Sequence, residues 1–484
     1  MRPLPIGIQT FEGIIKGEYV YVDKTNYIYE LVKPGIRPDA GSPKFFLSRP
    51  RRFGKSLTIS TLEALFLGKR PLFEGLWITT HTDYAFETFP VLRFDLSNIG
   101  KEEGAQLAKS LCFRVQDLAN QYQVEVDPER TLGQQFAQLI QRVASHTQNR
   151  VVVLVDEYDA PIIRHITDTQ KAADNRDVLR EFYTTLKAED AHMRFVLLTG
   201  VSKFSKVSVF SGLNNLKDLT MDHRYAAMCG YTQAELESNF ADRIAALAPK
   251  EELSVPQVLE KIQQWYNGYR FSEVDVKVYN PFSTLLLFDQ QVFKAHWFET
   301  GTPTFLVELV KRTDFDIPSV EQAEVDEGAF STYEIENLNP LALLVQTGYL
   351  TIQDYDKVRQ TYRLGYPNYE VENHLLVSLM KGYTESHAVT EGSLWRLIDA
   401  LGESDVDLFF EVLQIFFAKI PYTIQLKNEK YYQTIFYLIF TLMGLRIQAE
   451  VTTNRGRIDA VVETEKEIFI FEFKLQGTAE EALQ

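Results

Sequence analysis

Cysteine is scarce in this sequence. Only Cys112 and Cys229 occur in 484 residues, with no CxxC pair and no histidine at metal-ligand spacing beside them. That excludes a disulfide framework, argues against a cysteine-built zinc site, and leaves both residues to be read as small buried hydrophobes. Long apolar runs are lacking too. The N-terminus, MRPLPIGIQTFEGIIKGEYVYVDKT, has no signal-peptide core. The most apolar stretch, residues 435–445 (IFYLIFTLMGL), falls short of the roughly 20 residues that cross a bilayer. It reads as a buried helix in a chain expected to be soluble and cytoplasmic, with no membrane partner. Positive charge is in deficit: 50 Lys and Arg face 66 Asp and Glu, for a formal charge of −16. A surface coated for nonspecific nucleic-acid binding is thereby excluded, although a local basic groove is not. There is no internal repeat, low-complexity tract or flexible linker. A composition of 45% hydrophobic and 24% charged residues is enough to bury sizeable cores.

Residues 44–48 (KFFLS), 91–96 (VLRFDL), 151–156 (VVVLVD) and 194–199 (RFVLLT) are short apolar runs rich in Val, Leu and Phe. Stretches of helical period, such as residues 57–67 and 177–187, separate them. Buried strands alternating with helices predict an α/β domain with a mostly parallel sheet, here over residues 1–230. Residues 231–395 read as a mainly helical middle region. Within it, LALLVQTGYLTI followed by TYRLGYPNYEV (from residue 341) has the pattern of a helix leading into a small hairpin, as in a winged helix. Residues 396–484 begin with helices and end in strands expected at 447–451, 457–463 and 467–473.

After KFFLS comes RPRRFGKS (residues 49–56), followed by a helical pattern. A phosphate-binding loop needs backbone N–H groups turned inward, a helix N-terminus behind them, a lysine for the β- and γ-phosphates and a hydroxyl for Mg²⁺. Gly54, Lys55 and Ser56 supply this in strand–loop–helix order, and Arg52 and Phe53 complete the loop as nucleotide contacts. Arg49 stands where GxxxxGK[ST] has its first glycine. Residues 44–56 hold five basic side chains and no acidic one, in a chain of large acidic excess. The second half of such a site is VVVLVDE (residues 151–157), an apolar strand ending in two carboxylates, the Walker B form. Asp156 is expected to hold Mg²⁺, directly or through water, and Glu157 to polarise the attacking water. Thr199 ends the next strand and is equally a γ-phosphate sensor or a strand-end cap.

Five segments together, YVDKT (21–25), FLSRPRRFGKS (46–56), LVDEYDAPI (154–162), LTGVSKFSKVSVFSGLNNL (198–216) and WYNGYRF (265–271), resemble the bacterial AAA-ATPase-like family. The resemblance covers roughly residues 5–290. It implies a P-loop NTPase core, ATP and Mg²⁺ as cofactors, and Arg49 as that family's own form of the loop. It also implies a C-terminal nuclease-like domain.

The C-terminal residues carry matching chemistry. Asp459 lies in GRID, Glu472 and Lys474 in IFIFEFK, thirteen and fifteen residues later. Metal-dependent phosphodiester cleavage needs carboxylates converging on Mg²⁺ and a lysine that stabilises charge. Residues two apart on a strand share a face, so Glu472 and Lys474 belong together. By itself D…ExK is also the pattern of an edge strand with a surface ion pair. The family resemblance implies the PD-(D/E)xK assignment, with Asp459, Glu472 and Lys474 catalytic, Asp459 and Glu472 on the metal, and Glu450 or Glu429 as a further acidic member. The domain is expected to be incomplete at Gln484.

The leading functional expectation is an ATP-binding and ATP-hydrolysing protein coupled to a metal-dependent nuclease-like domain acting on DNA or RNA. The helical middle would relay ATP state between them. The alternative is a nucleotide-dependent switch or scaffold with a degenerate site, whose output is contact with a protein partner or with a second copy.

Overall fold

A computed structural model describes residues 1–33, 43–99, 103–203, 215–297, 320, 323–330, 339–384, 390–418, 429–447, 451–453, 458–463 and 468–473. The chain divides into two compact units, one of Met1–Trp297 with Glu324–Asn368, the other of Phe298–Ala323 with Tyr369–Gln484.

The first unit is built on a five-stranded parallel sheet. Its strands are β1 (Lys44–Ser48), β2 (Val91–Asp95), β3 (Val151–Asp156), β4 (Met193–Gly200) and β5 (Lys217–Asp218), in spatial order β2-β3-β4-β1-β5. Every residue of β1, β3 and β4 is buried. That explains why these segments read as unbroken apolar runs: a parallel strand covered on both faces has no polar side to alternate with. Strand order is what periodicity could not give. β4 lies between β1 and β3, so its C-terminal end, around Thr199, stands between the end of the loop-bearing strand and the end of the carboxylate-bearing one.

Helices Gln233–Leu247, Val255–Tyr266 and Pro281–Gln290 follow the sheet in this unit. Local chemistry sets their starts. Thr232 with Glu235 and Ser254 with Gln257 form capping boxes, in which hydroxyl and N3 side chain satisfy each other's backbone donors. The WYNGYRF segment leaves the second of these helices through Gly268. Gly268 has a left-handed φ of 100°, and a Cβ there would lie 1.8 Å from the carbonyl oxygen of Pro367, so only glycine fits. Tyr269–Arg270 (β6) then pairs with Lys277–Val278 (β7). Helix Pro340–Thr347 leads through Gly348 into the antiparallel hairpin β9 (Thr351–Asp356) and β10 (Thr361–Gly365), with β8 (Glu324–Val325) on its other edge. The helix and hairpin of the winged-helix pattern are both formed.

In the second unit helices Tyr369–Thr384, Thr390–Gly402, Val406–Ala418 and Glu429–Ile447 precede an antiparallel sheet of β11 (Val451–Thr453), β12 (Ile458–Glu463) and β13 (Ile468–Phe473). The apolar run at 435–445 is a buried helical segment: Ile435, Leu438, Ile439, Leu442 and Met443 are all inaccessible. Among the described residues no helix is long and apolar enough to cross a membrane. The strand expected at 447–451 is corrected. Helix continues two residues past the apolar run, through Arg446 to Ile447, and the first strand begins at Val451, so the apolar residue at 447 belongs to the last helical turn and not to a strand start.

Candidate functional site

The loop from β1 into helix Lys55–Phe66 turns on two left-handed residues, Arg52 (φ 70°) and Gly54 (φ 95°). A Cβ on Gly54 would meet nothing within 4 Å, so the requirement for glycine is the backbone conformation, not space. Loops with interspersed left-handed residues at a helix start form concavities that present N–H groups to anions.

The basic side chains of the loop divide into anchors and free ends. Arg49 is 1% exposed. Its guanidinium donates to the carbonyls of Ser48 (2.8 Å), Thr220 (2.8 Å) and Tyr225 (3.1 Å), and lies 4.2 Å over the Phe271 ring. Burial holds its pKa down at about 10, against the pull of Cys229 and Asp218. Phe53, also 1% exposed, sits edge-on to Tyr269 (4.7 Å) and Phe271 (5.6 Å). Its side chain is core, which leaves its backbone N–H for a phosphate. The loop is thus clamped from behind by the residues of WYNGYRF. Arg51 and Arg52 are exposed, with Arg52 stacked 4.8 Å over Phe282. Replacing Arg49 by lysine should therefore destabilise the protein by about 2–4 kcal/mol, because an ammonium cannot reach three divergent carbonyls and leaves buried acceptors unpaired. A denaturant midpoint unchanged in Arg49→Lys would contradict this.

Lys55 opens the helix and is buried; its Nζ folds back onto the carbonyls of Arg49 (2.8 Å) and Pro50 (3.0 Å). Burial lowers its pKa, opposed by the charges of Asp156, Glu157 and Asp159. Ser56 is the next residue of the same turn. Across the gap, Asp156 is 2% exposed at the carboxyl end of β3. Its Oδ1 accepts from the Thr199 hydroxyl (2.7 Å) and from the Glu157 N–H (3.1 Å). Thr199 is wholly buried and holds the Asp156 carboxylate in place. Glu157 takes a left-handed φ of 51°, and burial raises its pKa while Lys55 and Arg51 lower it. Parallel-sheet geometry so brings Lys55, Ser56, Asp156, Glu157 and Thr199 to one end of the sheet, where such sheets place their ligands.

A further acid of this end of the sheet is Asp159. It is 1% exposed and accepts from the Val201 N–H (3.0 Å), the Ser202 N–H (2.6 Å) and the Ser202 hydroxyl (2.6 Å). Asp159 therefore fixes the chain as it leaves β4. The signal was present as the third acid of LVDEYDAPI and the serine of LTGVSK, but their pairing needed the β3–β4 contact. YVDKT is likewise structural: Asp23 accepts from the Thr25 N–H (2.8 Å) and the Trp77 N–H (2.6 Å), and Lys24 pairs with Glu235 at 2.6 Å.

At the other end of the chain, the β12–β13 register sets Asp459 directly opposite Glu472. Directly paired positions share a face of the sheet. Glu450 and Lys474 lie outside the described residues, as do residues 204–214 of the segment LTGVSKFSKVSVFSGLNNL. Among the described residues no group of three or more His, Cys, Asp or Glu side chains is placed to hold a metal ion.

Comparison with known proteins gives two family matches: the predicted AAA-ATPase family over residues 5–210 and the PD-(D/E)XK nuclease superfamily over residues 427–484. A protein of Azotobacter chroococcum mcd 1, described as an uncharacterized protein in the vnfD 5′ region, is 39% identical over 482 residues, spanning 98% of this chain and 89% of the relative. Among solved structures, the Aeropyrum pernix ORC1 protein in complex with DNA matches 75% of this chain and 95% of its own. Its identity of 14% and TM-score of 0.29 are too low to carry any argument. From the strand–loop–helix at residues 44–66, the strand order and the two family matches, the chain belongs to the AAA-ATPase-like family and carries a domain of the PD-(D/E)XK nuclease superfamily.

Proposed function

We propose that this protein binds ATP at the loop of residues 49–56, hydrolyses it with Glu157 as the water-polarising base, and couples nucleotide state to a metal-dependent nuclease-like domain. Lys55 carries the reading. It is a buried ammonium satisfied by two loop carbonyls, and among the described residues no ion pair neutralises it. Burying a charge is costly; the Asp156, Glu157 and Asp159 carboxylates favour the ammonium without forming an ion pair with it, and the β- and γ-phosphates of ATP would bring a closer countercharge where helix N-terminus and loop converge.

The donor set suits Mg²⁺. The Ser56 hydroxyl and the Asp156 carboxylate are hard oxygen ligands, and both hydrogen bonds to Asp156 fall on Oδ1. Mg²⁺ bound there would neutralise phosphate charge. Thr199 keeps the Asp156 carboxylate oriented, and Glu157 accepts a proton from water as it attacks. Loss of the ammonium in Lys55→Ala is expected to weaken ATP binding by about 2–3 kcal/mol, the scale of a lost charged hydrogen bond. Calorimetric titration of the variant, with a thermal melt to establish folding, measures this. Equal affinity for ATP would remove the loop from the reading.

One observation favours the switch alternative. Just beyond β4, the Lys203 N–H donates to Gln346 at 2.9 Å, and Gln346 in turn donates to the Phe330 carbonyl at 3.1 Å. The segment leaving the nucleotide site is therefore tied to the helix that leads into the β9–β10 hairpin. A nucleotide-dependent shift of β4 would move that helix, whether or not ATP is hydrolysed.

A further inference from the structure

The three arginines of the loop are used differently. Arg49 is turned inward onto three carbonyls, and Arg52 lies over the Phe282 ring. Arg51, between them, is exposed, and among the described residues its guanidinium has no hydrogen bond, ion pair or ring partner. Its backbone, by contrast, is held. The Trp297 indole N–H donates to the Arg51 carbonyl at 3.3 Å, and Trp297 packs 5.2 Å from the Tyr349 ring. Just before it, Pro50 is seated on Gly348, where a Cβ would lie 2.7 Å from the proline ring. Just after it, Arg52 takes the left-handed φ of 70°. A long cationic side chain with nothing to bind thus leaves a backbone fixed on both sides.

The charge of Arg51 is felt across the site. Burial raises the Glu157 pKa, and Lys55 and Arg51 are the two cations that draw it back. Arg51 also counters the effect of burial on the Tyr349 phenol. The Glu157 carboxylate is, like Arg51, without a hydrogen bond or ion pair among the described residues. Lys55 is committed to the loop carbonyls, where the phosphates meet it. Arg51 is therefore the free cation within charge reach of the proposed base, on the loop that would carry the phosphates.

We infer that Arg51 is a catalytic arginine that the chain supplies to its own nucleotide, its guanidinium contacting the γ-phosphate oxygens and stabilising the charge that builds there during hydrolysis. The inference rests on the ATP reading above. In that step a water oxygen bonds to the γ-phosphorus while the bond to the bridging oxygen breaks. The water's proton passes to Glu157, and the bonding pair leaves on ADP. Charge spreads over the equatorial and bridging oxygens, and a planar fork of N–H donors matches them as an ammonium does not. Such an arginine can come from the same chain or from another. Here it shares a loop with Lys55, so no neighbouring chain is required.

The test uses the full chain with ATP and Mg²⁺. Arg51→Ala should lower kcat about a thousandfold, the lower end of what a catalytic arginine contributes, while calorimetry finds ATP affinity changed by less than about tenfold. ATP binding also reports that the variant is folded. If Arg51→Ala binds ATP too weakly to saturate, Arg51→Lys, which keeps the charge, carries the same kcat test. Added guanidinium ion should restore part of the turnover of Arg51→Ala, a response that a merely structural role would not give. Mixing Arg51→Ala with Lys55→Ala should restore nothing, because neither chain can lend its loop to the other. A kcat within about tenfold of native, a loss confined to affinity, or recovery of turnover in the mixture would each overturn the inference and leave the phosphate loop standing. A native chain that binds ATP without turning it over would overturn this inference together with the hydrolysis reading, and one that fails to bind ATP would overturn the whole nucleotide reading.

Discussion

Glu157→Gln is expected to bind ATP as tightly as the native protein and to hydrolyse it about a hundredfold or more slowly, the range for loss of a general base. The substitution preserves shape and removes only the proton-accepting charge. Asp156, which takes the hydrogen bonds of Thr199 and of the Glu157 backbone, keeps its place, so binding and turnover separate. The pH profile carries a second signature. Burial raises the Glu157 pKa, with Lys55 the largest opposing influence. A base works only when deprotonated, so turnover should rise with pH through a midpoint above that of an ordinary glutamate, and fall as acidification protonates it. In Glu157→Gln this acidic limb should vanish from the residual rate. Steady-state turnover across the acidic and neutral range, beside calorimetry, measures both effects. Unchanged turnover would require another base. Asp159 is poorly suited, because its carboxylate is committed to Val201 and Ser202 and sealed from water.

The parts of the site legible in the sequence were those whose chemistry is local. Gly54, Lys55 and Ser56 stand out because they are contiguous at a strand–loop–helix junction, and Asp156 with Glu157 because two acids close an otherwise apolar strand. β1, β3 and β4 were readable for the same reason: burial on both faces leaves an apolar centre to each run and confines the polar residues Lys44, Ser48, Asp156, Arg194 and Thr199 to its ends. What escaped depends on contacts between distant segments. Arg49 looked like part of a basic, phosphate-facing loop, but three carbonyls and the Phe271 ring turn it inward. Phe53 belongs to the same clamp, and neither can be inferred until the segment 269–271 is known to lie behind the loop. Thr199 was balanced between sensor and cap, and the placing of β4 beside β3 gives its hydroxyl to Asp156. The end of helix Glu429–Ile447 was misjudged because an apolar run does not by itself reveal where helix gives way to strand.

Asp459→Asn is expected to abolish metal-dependent cleavage of plasmid DNA by this protein and to leave ATP turnover largely unchanged. The β12–β13 register pairs Asp459 with Glu472, and strands about 4.8 Å apart can bring two such carboxylates onto one divalent ion. Asparagine retains the size and one oxygen but not the charge, and a site that gathers a hard dication by carboxylate charge loses affinity with each one removed. Residues 427–484 match the PD-(D/E)XK nuclease superfamily, and the pair Asp459 and Glu472 is the metal site proposed for that domain. The local charge sharpens the prediction. Residues 401–484 hold eight Lys and Arg against thirteen Asp and Glu, so the polyanion should bind weakly and with strong salt sensitivity unless metal offsets the repulsion. Nicking assays with Mn²⁺ at low and moderate salt, run beside an ATPase assay on the same preparations, give both readouts. Equal nicking by native protein and variant would assign the cleavage to another site or a contaminant. Loss of ATP turnover along with nicking would show that Asp459 acts through the fold of the whole chain and not as a metal ligand in an independent nuclease centre.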